Sequence, residues 1–156
     1  MSFFSPRNRA EASDRLAGMT GYAAAFAALI YALNVGQALT VPPVSTYLDD
    51  AGLIGGLLIV IVFLPSFFII KRRFGGPAVN PWKSDGFMSA ALQRAGLTAF
   101  AGTFLSLILL TLLDRLILER VSAAVLLDLI LAISLACFAM SFFLFSRDEG
   151  EGEDSV

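Results

Sequence analysis

The chain contains no histidine and only one cysteine, Cys137. The absence of histidine excludes a histidine-ligated haem, a histidine-bound zinc ion and a Ser-His-Asp triad. A single cysteine excludes an internal disulfide and a CxxC redox pair. We therefore predict no cofactor of these kinds and no metal site.

Charged residues are also scarce. They make up 15% of the 156 residues, whereas 57% are hydrophobic. A soluble domain carries roughly 25% charged residues. The net charge of −2 gives no general attraction for nucleic acid, so we expect no nucleic-acid partner. The composition indicates a small integral membrane protein whose first partner is the lipid bilayer.

Four apolar runs predict four transmembrane helices. Each run reaches the roughly 17–25 residues that span a bilayer, and in hydrocarbon such a run is helical because every backbone amide must be paired within it. The predicted fold is an all-α four-transmembrane-helix bundle in one domain, residues 1–147, with Pro65 kinking the second helix. The predicted helices cover about residues 17–41, 52–70, 95–113 and 121–146. The remaining residues, 148–156, form an acidic tail that we expect to be disordered.

Lysine and arginine predict the orientation. Nine of them lie in the N-terminal segment, in the loop after the second helix and at Arg147 after the last predicted helix, and the loop after the third helix holds the other two. The positive-inside rule then places both termini in the cytoplasm, in a multi-pass protein of the cell inner membrane. An even number of spans independently requires the termini to share one side. Lys71, Arg72 and Arg73 are predicted to contact headgroups of the inner leaflet, or to act only as a stop-transfer anchor.

Small residues recur every four positions on two helices. Because small side chains let helix backbones approach closely in a membrane, these stripes are predicted to pack against other helices. The first stripe lies on the first helix, and the second follows Asp128 on the last helix. The predicted helix-packing interface consists of Ala24, Ala28, Ala32, Gly36, Ala132 and Ala136.

Asp128 is the outstanding polar residue inside the predicted spans, and intramembrane charge is a default indication of a site. Asn34 lies seven residues before Val41, and Asp128 lies seven residues after Val121. At a rise of about 1.5 Å per residue, both lie about 10 Å from the outer surface. We predict a polar cluster of Asp128, Asn34, Gln37 and Tyr31. This cluster is a proton or cation site, a polar ligand pocket that opens outward, or a set of hydrogen bonds that joins the helices.

An enzymatic function finds little support. The segments around Asp114 and Asp128 resemble part of the pattern of lipoprotein signal peptidases, which are aspartyl proteases. That pattern requires an asparagine where this chain has Thr111, and the chemistry requires two carboxylates that share a proton. No acidic residue lies between Asp128 and Asp148, so we do not assign the chain to that family.

The sequence favours an interaction or accessory subunit of a larger membrane complex. It has no catalytic set and short external loops, and it carries small-residue stripes suited to contact with other helices. We expect other membrane subunits, or self-association, as partners. The alternative is a small, dimeric proton- or cation-coupled transporter with Asp128 as its protonatable group. An intramembrane enzyme is the third possibility.

Overall fold

The computed structural model describes residues 9–42, 44–73, 82, 87–112 and 121–148. All regular structure in these ranges is helical. Four helical rods are apolar and long enough to cross a membrane, which indicates a multi-pass membrane protein. The second rod is formed by α2, a π-helical segment and α3, which follow one another without a break. The elements are α1 (Arg9–Leu39), α2 (Val44–Leu58), the π-helical segment (Ile59–Phe63), α3 (Leu64–Arg73), α4 (Phe87–Leu112) and α5 (Ala123–Asp148).

Three of the rods begin earlier than the apolar runs predict, at Arg9, Val44 and Phe87. The prediction followed apolar side chains only, whereas backbone hydrogen bonds continue a helix through polar turns as well. In the first turns of α1 the Arg15 guanidinium donates to the Glu11 carboxylate at 2.6 Å, one helical turn away. Apart from Asp148, which ends α5, the predicted acidic tail lies outside the described residues.

Helix α5 lies between α1 and α4 and packs against both. The second rod packs on α1, and it contacts neither α4 nor α5 in the described part of the chain. The helices therefore lie side by side in the order second rod, α1, α5 and α4. Helix α1 also touches α4, through a buried cluster near the beginning of both helices.

One end of the molecule, which we call the basic end, contains the beginnings of α1 and α4 and the ends of α3 and α5. Two buried clusters define it. The first joins Leu16 and Met19 of α1 to Ile70 of α3. The second joins Ala17 of α1 to Phe142 of α5 and to three residues of α4, which are Ala91, Leu92 and Ala95. The beginning of α1 and the end of α5 therefore lie at the same end of the molecule.

The opposite end, which we call the open end, is packed less tightly. Beyond Ala95, no residue of α4 is buried, and Leu97 and Phe100 are each 73% exposed. From Leu29 to its end, α1 likewise has no buried residue. Burial within the described helices is thus concentrated toward the basic end, and the apolar faces at the open end are available to lipid or to other helices.

Helices α1 and α5 approach each other closely at Gly21. A Cβ atom at this position would overlap the ring of Phe142, which is only 1% exposed. The neighbouring Phe143 ring lies 5.0 Å from the Tyr22 ring and 5.6 Å from the Phe142 ring, measured between centroids. The absence of a side chain at Gly21 therefore lets α1 pack directly on a buried aromatic ring.

We predict that Gly21→Ala destabilises the protein by about 1–3 kcal/mol, because the buried Phe142 ring must move to admit the methyl group. Gly56→Ala is the matched control, since nothing lies within 4 Å of the Cβ that it would add. Thermal unfolding of the purified variants in one detergent measures the difference. Equal midpoints for the two variants would contradict the close contact at Gly21.

Candidate functional site

The small residues of α1 and α5 meet along the contact between these helices. Ala28 and Ala32 of α1 lie opposite Ala132 and Ala136 of α5, and all four line one groove. The structure thus brings together four of the six residues of the predicted packing interface. Ala24 is buried one turn closer to the basic end.

Gly36, the sixth residue of that interface, lies next to the second rod. A Cβ atom at Gly36 would lie 3.5 Å from the Cδ1 atom of Leu48 in α2. The small residues of α1 therefore make two different contacts, because the alanines face α5 whereas Gly36 faces α2.

The groove between α1 and α5, which we call the alanine groove, has a volume of about 500 Å³. Its walls are entirely apolar, and Leu29 and Ile133 stand partly exposed along its rim. The two helices are held together at Gly21 and Phe142, nearer the basic end. Farther along, alanine faces alanine, and the short side chains leave the space between the helices unfilled.

Asp128 lies beside this groove. It is half-buried and precedes Leu129, which lines the groove together with Ala132, one turn farther along α5. Among the described residues, none forms an ion pair or a hydrogen bond with the Asp128 carboxylate. Arg115 and Arg120, the basic residues nearest in sequence, lie outside the described residues.

Asn34 lies at a similar level to Asp128 along the helix axes, because their neighbours Val35 and Leu129 line the same groove. Its amide, however, is directed toward α2. The Asn34 Oδ1 atom is 3.5 Å from the position that a Cβ atom on Gly52 would occupy. Within the described helices, no hydrogen bond joins the side chains of the predicted cluster, Asp128, Asn34, Gln37 and Tyr31.

A polar contact that the sequence analysis missed connects α4 to α5. The hydroxyl oxygens of Thr103 and Ser134 are 2.7 Å apart, and the Thr103 oxygen is 2.8 Å from the Ala99 carbonyl. Because a hydroxyl has one proton, Thr103 donates to Ala99 while Ser134 donates to Thr103. The contact lies beside the close approach of Gly102 to the Cys137 thiol. Hydroxyl residues within two apolar runs were the available sequence signal.

Trp82 packs onto α4 and α5 near the basic end. Its carbonyl accepts a 2.7 Å hydrogen bond from the Gln93 amide. The indole ring lies 6.5 Å from the Phe138 ring, between centroids, and approaches Gly96. Between α3 and α4, Trp82 is the one described residue, and it packs against the helices.

Basic residues gather at the same end. Lys71, Arg72 and Arg73 form the last turn of α3, and Arg72 is exposed. The Arg94 guanidinium lies 5.9 Å from the centroid of the Phe145 ring, which places a cation over an aromatic face. The basic end is thus positively charged on α3 and α4 alike.

Comparison of the chain with family models, with curated proteins and with solved structures finds no match. Within the described ranges, no group of three or more His, Cys, Asp and Glu side chains could hold a metal ion. The site must therefore be interpreted from its own geometry, in which an apolar groove, an adjacent carboxylate and a basic end are the main features.

We predict that the hydrogen bond between Thr103 and Ser134 contributes about 0.6 kcal/mol, the average for interhelical hydrogen bonds in membranes. A double-mutant cycle of Thr103→Val and Ser134→Ala, followed by unfolding in detergent, measures this coupling. Thr111→Val is the control, because the exposed Thr111 hydroxyl bonds only to Leu107 of its own helix. Strict additivity in the cycle would show that the two hydroxyls do not interact.

Proposed function

We propose that the protein is an accessory subunit of a larger inner-membrane complex and that the alanine groove receives a helix of another subunit. The observation that supports this proposal is the groove itself, about 500 Å³ of apolar space between α1 and α5 that the described residues leave unfilled.

The physics of helix association in a membrane favours this use of the groove. Lipid tails are as apolar as leucine, so helices associate there by close packing rather than by escape from water. Ala28, Ala32, Ala132 and Ala136 let a third backbone approach the pair of helices. Leu29 and Ile133, on the rim, offer larger side chains that pack against the sides of an inserted helix.

The proposed orientation follows from charge. The basic end carries Arg15, Arg72, Arg94 and Arg147 on described helices, and the positive-inside rule assigns such an end to the cytoplasm. Both termini are then cytoplasmic. The alanine groove, on the side of the open end, would receive its partner helix toward the outer half of the bilayer.

We predict that Ala32→Phe releases the partner subunit while this protein stays folded. Ala32 lines the groove but is exposed, so a phenyl ring there occupies the space without forcing α1 away from α5. Ala101→Phe places the same ring on an exposed part of α4 and is the matched control. Native mass spectrometry of complexes extracted from the original membrane measures the stoichiometry.

The accessory proposal requires that the wild-type protein co-purify with other subunits in fixed ratio. It also requires that Ala32→Phe lose them and that Ala101→Phe retain them. A wild-type protein that leaves the membrane only as a homodimer would contradict the proposal. That result would favour the alternative, a small transporter coupled to protons or cations.

The transporter alternative is supported by one specific observation. Asp128 is a half-buried carboxylate beside the groove, with no ion-pair partner among the described residues. Carboxylates in such positions serve as proton or ion sites in membrane carriers. In this interpretation the groove and the Asp128 carboxylate together form an entry path from the open end.

Substitution of Asp128 separates the two functions. If the protein is an accessory subunit, Asp128→Asn keeps the wild-type stoichiometry of the complex, because the amide replaces the carboxylate in size and polarity. Proteoliposomes containing the wild-type protein should then show no flux of protons or cations across the membrane when a pH gradient is applied. Flux that is present in the wild type, absent in Asp128→Asn and unaffected by Ser122→Ala would establish the transporter instead. Ser122, which is exposed and directly precedes the first residue of the same helix, provides the control.

A further inference from the structure

A second apolar cavity lies between α1 and the second rod. We call it the π cleft because the π-helical segment Ile59–Phe63 forms part of its wall. Its volume is about 250 Å³, larger than the ~150 Å³ apolar cavity that is known to stay dry and to bind benzene in an engineered protein. The residues that matter for its shape are Met19, Thr20 and Ala23 on α1, and Phe63, Leu64 and Phe67 on the second rod.

The cleft results from the backbone of the second rod. Pro65 has no amide proton for the Ile61 carbonyl, and its ring would clash with that carbonyl in a regular α-helix. The chain passes this point with a π-helical turn, a feature found frequently at functional sites. Opposite this turn, α1 presents the small residues Thr20 and Ala23, so the space beside the wider turn stays open.

The interior of the cleft offers no free hydrogen-bond donor to a polar ligand. Thr20 is the only hydroxyl residue of its lining, and its single proton is donated to the Leu16 carbonyl at 2.8 Å. All the other lining side chains are apolar, so the cleft favours hydrocarbon as its occupant. Val60 and Leu64, which line the cleft, are 57% and 55% exposed, so the opening faces the surrounding bilayer.

A cationic group lies on the same face of the rod as this opening. Leu64, Phe68 and Arg72 follow one another at steps of four, and all three are exposed. At about 1.5 Å per residue, the Arg72 backbone lies about 12 Å beyond that of Leu64. Lys71 and Arg73 flank Arg72 in the sequence, and no acidic residue occurs between Asp50 and Asp85.

We propose that the π cleft binds an anionic phospholipid, with one acyl chain in the cleft and the phosphate at Arg72. The apolar cavity selects hydrocarbon, and the cluster of cations at the basic end selects a negatively charged headgroup. One lipid molecule spans the distance of about 12 Å along α3 from Leu64 to Arg72, with its acyl chain at one end and its phosphate at the other. This site is separate from the alanine groove and does not depend on the accessory role.

Lipid selectivity tests the headgroup half of the proposal. Phosphatidylglycerol and phosphatidylcholine with identical acyl chains are titrated separately into the purified full-length protein, and bound lipid is counted by native mass spectrometry. We expect the wild type to prefer phosphatidylglycerol, and Arg72→Gln to reduce that preference about fivefold. Arg147→Gln removes an exposed cation from the same end and should leave the preference unchanged. Equal binding of the two lipids by the wild type would overturn the proposal.

Filling the cleft tests the acyl-chain half. Ala23→Leu and Val60→Phe enlarge side chains on opposite walls, and both should lower the number of bound phosphatidylglycerol molecules by one. Ala101→Leu, on the exposed surface of α4, should retain the wild-type number. Circular dichroism verifies the helical fold of each variant. If Ala23→Leu fails to fold, the exposed Val60 position decides, and full retention of lipid by folded Val60→Phe would overturn the assignment of the cleft.

Discussion

The contact between α1 and α5 is the interaction on which the rest of the molecule depends. The second rod packs on α1, and α4 packs mainly on α5, so this one contact joins two helix pairs. It is made where Gly21 admits the ring of Phe142. Because hydrocarbon provides no hydrophobic force between helices, the contact relies on close packing, which requires a glycine at this point.

The same contact explains why one end is tight and the other open. At the basic end an aromatic ring fills the space between three helices, whereas farther along alanines face alanines. Helix α4 does not close the resulting groove. Ser134, which contacts α4 through Thr103, is two residues from Ala132 and from Ala136, about 200° around α5. At this level α4 and α1 therefore lie on opposite faces of α5.

Hydropathy and the rule that backbone amides must be paired were enough to predict four apolar helices. They could not predict where α1 begins, because that helix continues through polar turns such as the one that holds Glu11 and Arg15. Pro65 predicted a disturbance of the second rod. The structure shows a π-helical segment directly before the proline, and only the opposing residues Thr20 and Ala23 make it a cleft.

In the candidate site, the sequence predicts the level of a residue along the helix axis, but only the packing of the helices determines which neighbour its side chain meets. Depth in the membrane follows from residue number, so Asn34 and Asp128 could be assigned to one level. The direction in which a side chain meets its neighbour depends on which helix packs on which face. Here α2 presents Gly52 to α1, and the missing side chain makes room for the Asn34 amide. Asp128 instead lies beside the apolar groove walls of α5, where no described side chain pairs with its carboxylate.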